Sequence, residues 1–136
     1  LAHDTLHLKN RICRTPGRNI WRINTVNETD LNSSKEAADV LAKNNFKIVG
    51  WDLEWKPNKN MTLKGSHLQM LKRVDSIFFN DLEKTSRHLV FLTHDQYLHD
   101  ENSIKELNLF IQKLQKTNRF EFRKISEYPE INSLLN

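Results

Sequence analysis

The stretch FKIVGWDLEWKPNKNMTLKGSHLQMLKRVDSIFFNDLEKTSRHLVFLTHD, residues 46–95, decides the fold. Its first eight residues are mostly apolar and read as a buried strand. A polar loop follows over 55–65, broken by Pro57 and Gly65. Ser66 then offers an N-cap for a helix through about residue 84, with Leu68, Leu71, Val74, Ile77, Phe78 and Leu82 at i, i+3, i+4 spacing. Residues 88–93, HLVFLT, form a second continuous apolar strand. A strand, an amphipathic helix and a strand in that order predict a βαβ unit with parallel strands.

The same alternation continues outward. NRICR (10–14) reads as a short strand closed by the turn signal Thr15-Pro16-Gly17. Ser33-Ser34-Lys35-Glu36 supplies a cap and an acidic first turn for a helix whose apolar face is Ala37, Ala38, Leu41 and Ala42, stopped by Asn44-Asn45. Downstream, Ser103 opens SIKELNLFIQKLQKTN, with Ile104, Leu107, Phe110, Ile111 and Leu114 as its stripe, and FEFRKI (120–125) alternates as a last strand before Pro129. The order β-α-β-α-β-α-β predicts an α/β fold of parallel strands alternating with helices. Without internal repeat or interdomain linker, residues 1–136 read as a single domain.

Composition bounds what such a chain does. Its 136 residues are 38% hydrophobic and 28% charged, enough apolar content for an ordered core and too much for a disordered or low-complexity chain. No run approaches 18 apolar residues, so no membrane span is expected. The single cysteine, Cys13, rules out an internal disulfide framework and a Cys-rich zinc finger. The net charge of +4 is mild and mixed along the chain, which argues against a dedicated nucleic-acid surface. No basic-then-apolar leader is in view.

Parallel α/β folds gather chemistry at the C-terminal ends of their strands. The first predicted strand ends in Arg14-Thr15-Pro16-Gly17-Arg18, the second in Trp51-Asp52-Leu53-Glu54-Trp55, and the third in His94-Asp95. An arginine, a carboxylate between tryptophans and a histidine-aspartate pair are therefore expected on one rim. The rival reading is a phosphate-contacting patch of Arg11, Arg14, Arg18 and Arg22 with Trp21 as a stacking ring; no basic face dominates and no nucleic-acid motif accompanies it. His99-Asp100 falls beyond the strand and reads as surface. The triplets at Asn27, Asn32 and Asn60 match the glycosylation acceptor pattern at a frequency expected by chance in an Asn-rich chain.

CRTPGR, then VGWDLEWK, then LVFLTHD, in this order and at these separations, resemble the second half of the polysaccharide deacetylase family, the NodB-homology carbohydrate esterases. The resemblance covers about residues 9–96. It implies a partial (β/α) barrel and hydrolysis of N- or O-acetyl groups on an acetylated polysaccharide. It also implies a divalent metal, zinc foremost, held by one Asp and two His, and a secreted, periplasmic or cell-envelope setting. Carried over, His94 is the general acid and Arg14 orients the base. Asp52 holds Arg14 or tunes the site. Trp55 walls the sugar groove, with Trp51, Glu54 and Asp95 beside the substrate.

Several positions depart from the family pattern. Gly17 stands where the family has an aromatic, the spacing Asp52-Leu53-Glu54-Trp55 is shortened, leaving Glu54 as a stand-in for the second acid, and Phe91 and Thr93 replace acetyl-cradling leucines. The family's Thr-Phe-Asp-Asp-Gly segment, which gives the base and one metal ligand, does not occur. Its His-Ser/Thr-x-x-His motif normally stands well before the Arg-x-Pro motif, whereas His3 and His7, at i, i+4 spacing, sit too close to Arg14 and read as incidental. Four strands cannot close a barrel. The chain is thus expected to be the C-terminal part of a longer barrel, or else a half-barrel missing its metal site. An inactive carbohydrate-binding or structural α/β domain is the alternative.

Overall fold

A computed structural model describes residues 11–23 and 25–131. The described chain is mixed α/β, with small sheets and three α-helices. It forms two compact units, one built from the chain up to Gly50 together with the segment from Arg123 onward, the other from Trp51–Phe122.

The first unit holds a four-stranded sheet of β1 (Ile12–Cys13), β2 (Ile20–Arg22), β3 (Asn27–Thr29) and β4 (Lys47–Ile48), in spatial order β1-β4-β2-β3. β1 and β4 are parallel, with Cys13 opposite Ile48, as a strand-helix-strand crossover requires. The crossover is α1 (Lys35–Lys43), whose Ala38 and Leu41 pack on Ile20, Ile48 and Cys13. β2 and β3 form an antiparallel hairpin, and β2 also runs antiparallel to β4. An all-parallel arrangement is therefore corrected here to a mixed sheet. The physical reason is the hairpin, closed where Ile23 and Val26 exchange both backbone hydrogen bonds at 3.0 and 3.2 Å.

The second unit contains β5 (Leu53–Glu54), α2 (His67–Phe79), β6 (Phe91–Leu92) and α3 (Glu101–Lys116). β5 and β6 pair in parallel, Leu53 opposite Phe91 and Glu54 opposite Leu92. Leu53, Trp55, Leu63, Met70, Val74, Tyr97, Phe110 and Leu114 form its core. Ser66 caps α2 through a full capping box with Gln69. The helix stops at Phe79 rather than near 84, because Asn80 closes it and Asp81 takes a left-handed conformation (φ 50°).

Three further expectations shift. The apolar run 46–53 is not one strand: it leaves the first sheet after Ile48 and enters the second at Leu53. α3 begins at Glu101, since the Asp100 carboxylate accepts from the Ser103 amide at 3.0 Å and takes the capping role assigned to Ser103. Residues 120–125 do not pair in a sheet; Phe122 is exposed and Ile125 starts a short 3-10 turn. No closed barrel forms among the described residues.

Candidate functional site

Arg14 directly follows β1 and is exposed. The turn behind it is built as the sequence predicts: the Arg18 amide donates to the Thr15 carbonyl at 3.3 Å, and Gly17 adopts φ +65°, a conformation that costs a side-chain-bearing residue more.

The remaining expected residues lie in the second unit. β5 and β6 are adjacent and parallel, so their C-terminal ends point the same way. Glu54 closes β5, and Thr93-His94 follow β6 directly. His94 is half-buried and N-caps the 3-10 turn Asp95–Tyr97; its carbonyl accepts from the Tyr97 amide at 3.1 Å. Its imidazole meets the Tyr97 ring edge-on, centroids 5.2 Å apart at 68°. The aromatic neighbour and the hydrogen-bonded backbone limit the orientations open to this half-buried ring. Asp95 is exposed and its carboxylate accepts from the Gln96 amide at 2.8 Å.

Asp52 does something the sequence did not foretell. Its two carboxylate oxygens accept from the Lys84 amide at 2.8 Å and the Val90 amide at 2.6 Å, tying both ends of the 84–90 loop to the start of β5. Burial pushes its pKa up from the ordinary aspartate value, against the opposing pull of the Val90 and Lys84 hydrogen bonds and the Lys84 charge. Asp52 thus acts on the site by holding backbone.

Trp55 is corrected from groove wall to core. It is 1% exposed, packs edge-on against Phe110, and donates its indole N–H to the Lys64 carbonyl at 2.9 Å. Trp51 remains partly exposed. The arginine patch is likewise reassigned. Trp21 is 0% exposed, and the buried Arg22 guanidinium serves the Asp39 carboxylate, the Trp21 and Glu28 carbonyls and the Thr29 hydroxyl, all at 2.7–2.9 Å. Neither side chain is open to a phosphate or a base. His99 is exposed, whereas Asp100 is the helix cap described above.

A polar pair unforeseen in the sequence joins α2 to α3. His67 Nδ1 lies 2.7 Å from Glu106 Oε2, which also accepts the His67 amide at 2.6 Å. These hydrogen bonds hold the Glu106 carboxyl below its ordinary pKa. Nothing local could reveal the pair, since 39 residues separate its members.

Among the described residues no three His, Cys, Asp or Glu side chains come together as a metal-holding group, so a divalent metal does not fit these residues alone. His3 and His7 lie outside the described residues. An open hollow of about 310 Å³ in the first unit, at Arg22, Asn45 and Lys47, includes none of the residues expected at the strand-end site. No helix among the described residues is long and apolar enough to cross a membrane. Compared with models of protein families and with curated proteins, the chain matches none.

Proposed function

We propose that this chain carries the proton-donating half of a polysaccharide deacetylase site, removing N- or O-acetyl groups, and that it is the C-terminal part of a larger barrel whose other part holds the metal. The observation that carries this reading is the delivery of Glu54 and His94 to the same end of two neighbouring parallel strands. In this reading His94 gives a proton to the departing amine or alcohol. Glu54, Trp51 and Asp95 meet sugar hydroxyls. Asp52 and Trp55 are supports. No metal-dependent step is assigned to these side chains, and the setting is a secreted, periplasmic or envelope one.

A second reading, an inactive carbohydrate-binding domain, is favoured by the absence of a metal-holding group among the described residues. One experiment separates them. Acetate release from chitooligosaccharide, peptidoglycan or acetylated xylan is measured for the parent protein and its His94→Ala variant. The deacetylase reading expects a fall of about 10²–10⁴-fold. An unchanged rate rejects His94 as the acid, and sugar binding with no acetate release from any of the three selects the inactive reading.

A further inference from the structure

Over residues 55–74 the mixing of charge along the chain breaks down. Lys56, Lys59, Lys64, Lys72 and Arg73 fall there with no Asp or Glu among them, more positive charge than the net +4 of the entire chain. Three of the lysines ride on one hairpin. The Lys64 amide donates to the Lys56 carbonyl at 3.0 Å, the Asn58 amide donates to the Thr62 carbonyl at 2.8 Å, and Pro57 bridges Leu63 in antiparallel register. This pairing sets Lys56 beside Lys64 along the stem and leaves Lys59 at the turn.

The hairpin is held rigid from tip to base. Asn58 Oδ1 accepts from the Asn60 amide at 2.9 Å and the Thr62 amide at 3.1 Å, while its Nδ2 donates to the Thr62 hydroxyl at 2.7 Å. At the base, Leu63 is buried and its amide donates to the Ser103 hydroxyl of α3 at 3.0 Å. The Lys64 carbonyl accepts the Trp55 indole N–H. All three lysines are exposed, and none is ion-paired among the described residues. Like charges held on a stiff support, with no ion pair among the described residues, create a field that attracts an anion at little ordering cost.

We propose that the 56–64 hairpin is a preformed clamp for an anionic polysaccharide, a glycan bearing carboxylates along its chain. The inference rests on the deacetylase reading and names its substrate class: an acidic, partly acetylated glycan. The chemistry selects a glycan over other polyanions. Nucleic-acid surfaces add aromatic rings on which bases stack, whereas Trp55, the ring that leads into this hairpin, is buried. Membrane insertion needs an apolar face, and the turn exposes a single apolar side chain, Met61. Beside the lysines, Asn60 is exposed at the turn and its amide group offers both a donor and acceptors to sugar hydroxyls.

The test is binding of the 136-residue chain to alginate by calorimetry at low and physiological salt. Neutral dextran, a single-stranded oligonucleotide and phosphatidylserine vesicles serve as comparisons. The proposal expects alginate to bind, dextran not to, and affinity to fall as salt rises. Replacing Lys56, Lys59 and Lys64 together by Gln should weaken alginate binding by about 3- to 150-fold, taking each exposed pair at its usual strength. The triple Arg variant should retain it. Absent alginate binding, or binding equal in the Gln variant, overturns the proposal. So does tighter binding of oligonucleotide or vesicles that the Gln variant loses. Alginate binding without acetate release by the parent leaves the clamp standing and removes the deacetylase reading, while turnover of neutral acetylated glycans without alginate binding does the reverse.

Discussion

At position 50 only a hydrogen fits on the α-carbon. A Cβ there would lie 2.6 Å from the Trp21 indole nitrogen and would also clash with the Asn19 side-chain oxygen, the two atoms that hydrogen-bond each other at 3.1 Å. Gly50→Ala is expected to lower stability by about 1–3 kcal/mol, as overpacking does, read from urea denaturation. Asp52 gives a pH signature instead. Its raised pKa means that the folded chain holds this proton more tightly than the unfolded chain does. Stability should therefore fall as pH rises from the ordinary value of 3.8 through the raised one. Asp52→Asn keeps one acceptor but turns an amide toward a backbone N–H, so about 1–3 kcal/mol should be lost. In the difference between wild type and variant across that window, the downward trend should belong to wild type alone. A flat difference would show that the Lys84 and Val90 hydrogen bonds offset the burial of the carboxylate.

Among the secondary elements, α2 and α3 meet through His67 and Glu106. Here the sign is opposite: the depressed Glu106 pKa contributes stability above the ordinary glutamate range, lost as pH falls through the depressed value. Glu106→Gln should cost about 1.5–3 kcal/mol near neutrality, the usual worth of a hydrogen bond to a charged group, and less in acid, as thermal melts at several pH values would show. The far end of α2 makes a contrasting case. Phe79 is 87% exposed, so Phe79→Ser should change stability by no more than about 0.5 kcal/mol. The helices could be read in advance because nine to sixteen residues give 3.6-residue periodicity room to show. The strands could not be delimited, since elements of two or three residues carry too few side chains for alternation. The β2–β3 hairpin escaped notice for a related reason: Ile20, Trp21 and Arg22 are all buried, and its turn lacks glycine. Of the expected site, the strand-end positions of Arg14, Glu54 and His94 were legible. The burial of Trp55 and the backbone-holding role of Asp52 were not, because both depend on contacts with distant segments.

For the molecule as a whole, the two units draw on separate apolar clusters, one around Ile20, Ala38 and Ile48 and one around Leu53, Trp55 and Phe110. Trp55→Ala should cost about 3–5 kcal/mol, a large share of the stability available to a small protein, and far-UV circular dichroism with denaturant would register it. Arg22, one of 21 basic residues, is 6% exposed and its guanidinium is held by four partners within the first unit. An arginine-directed dicarbonyl reagent should modify exposed Arg11, Arg14 and Arg18 at once and spare Arg22 until that unit opens. Mass spectrometry of that one site against time would then serve as a built-in clock for how often the sheet lets go of its guanidinium.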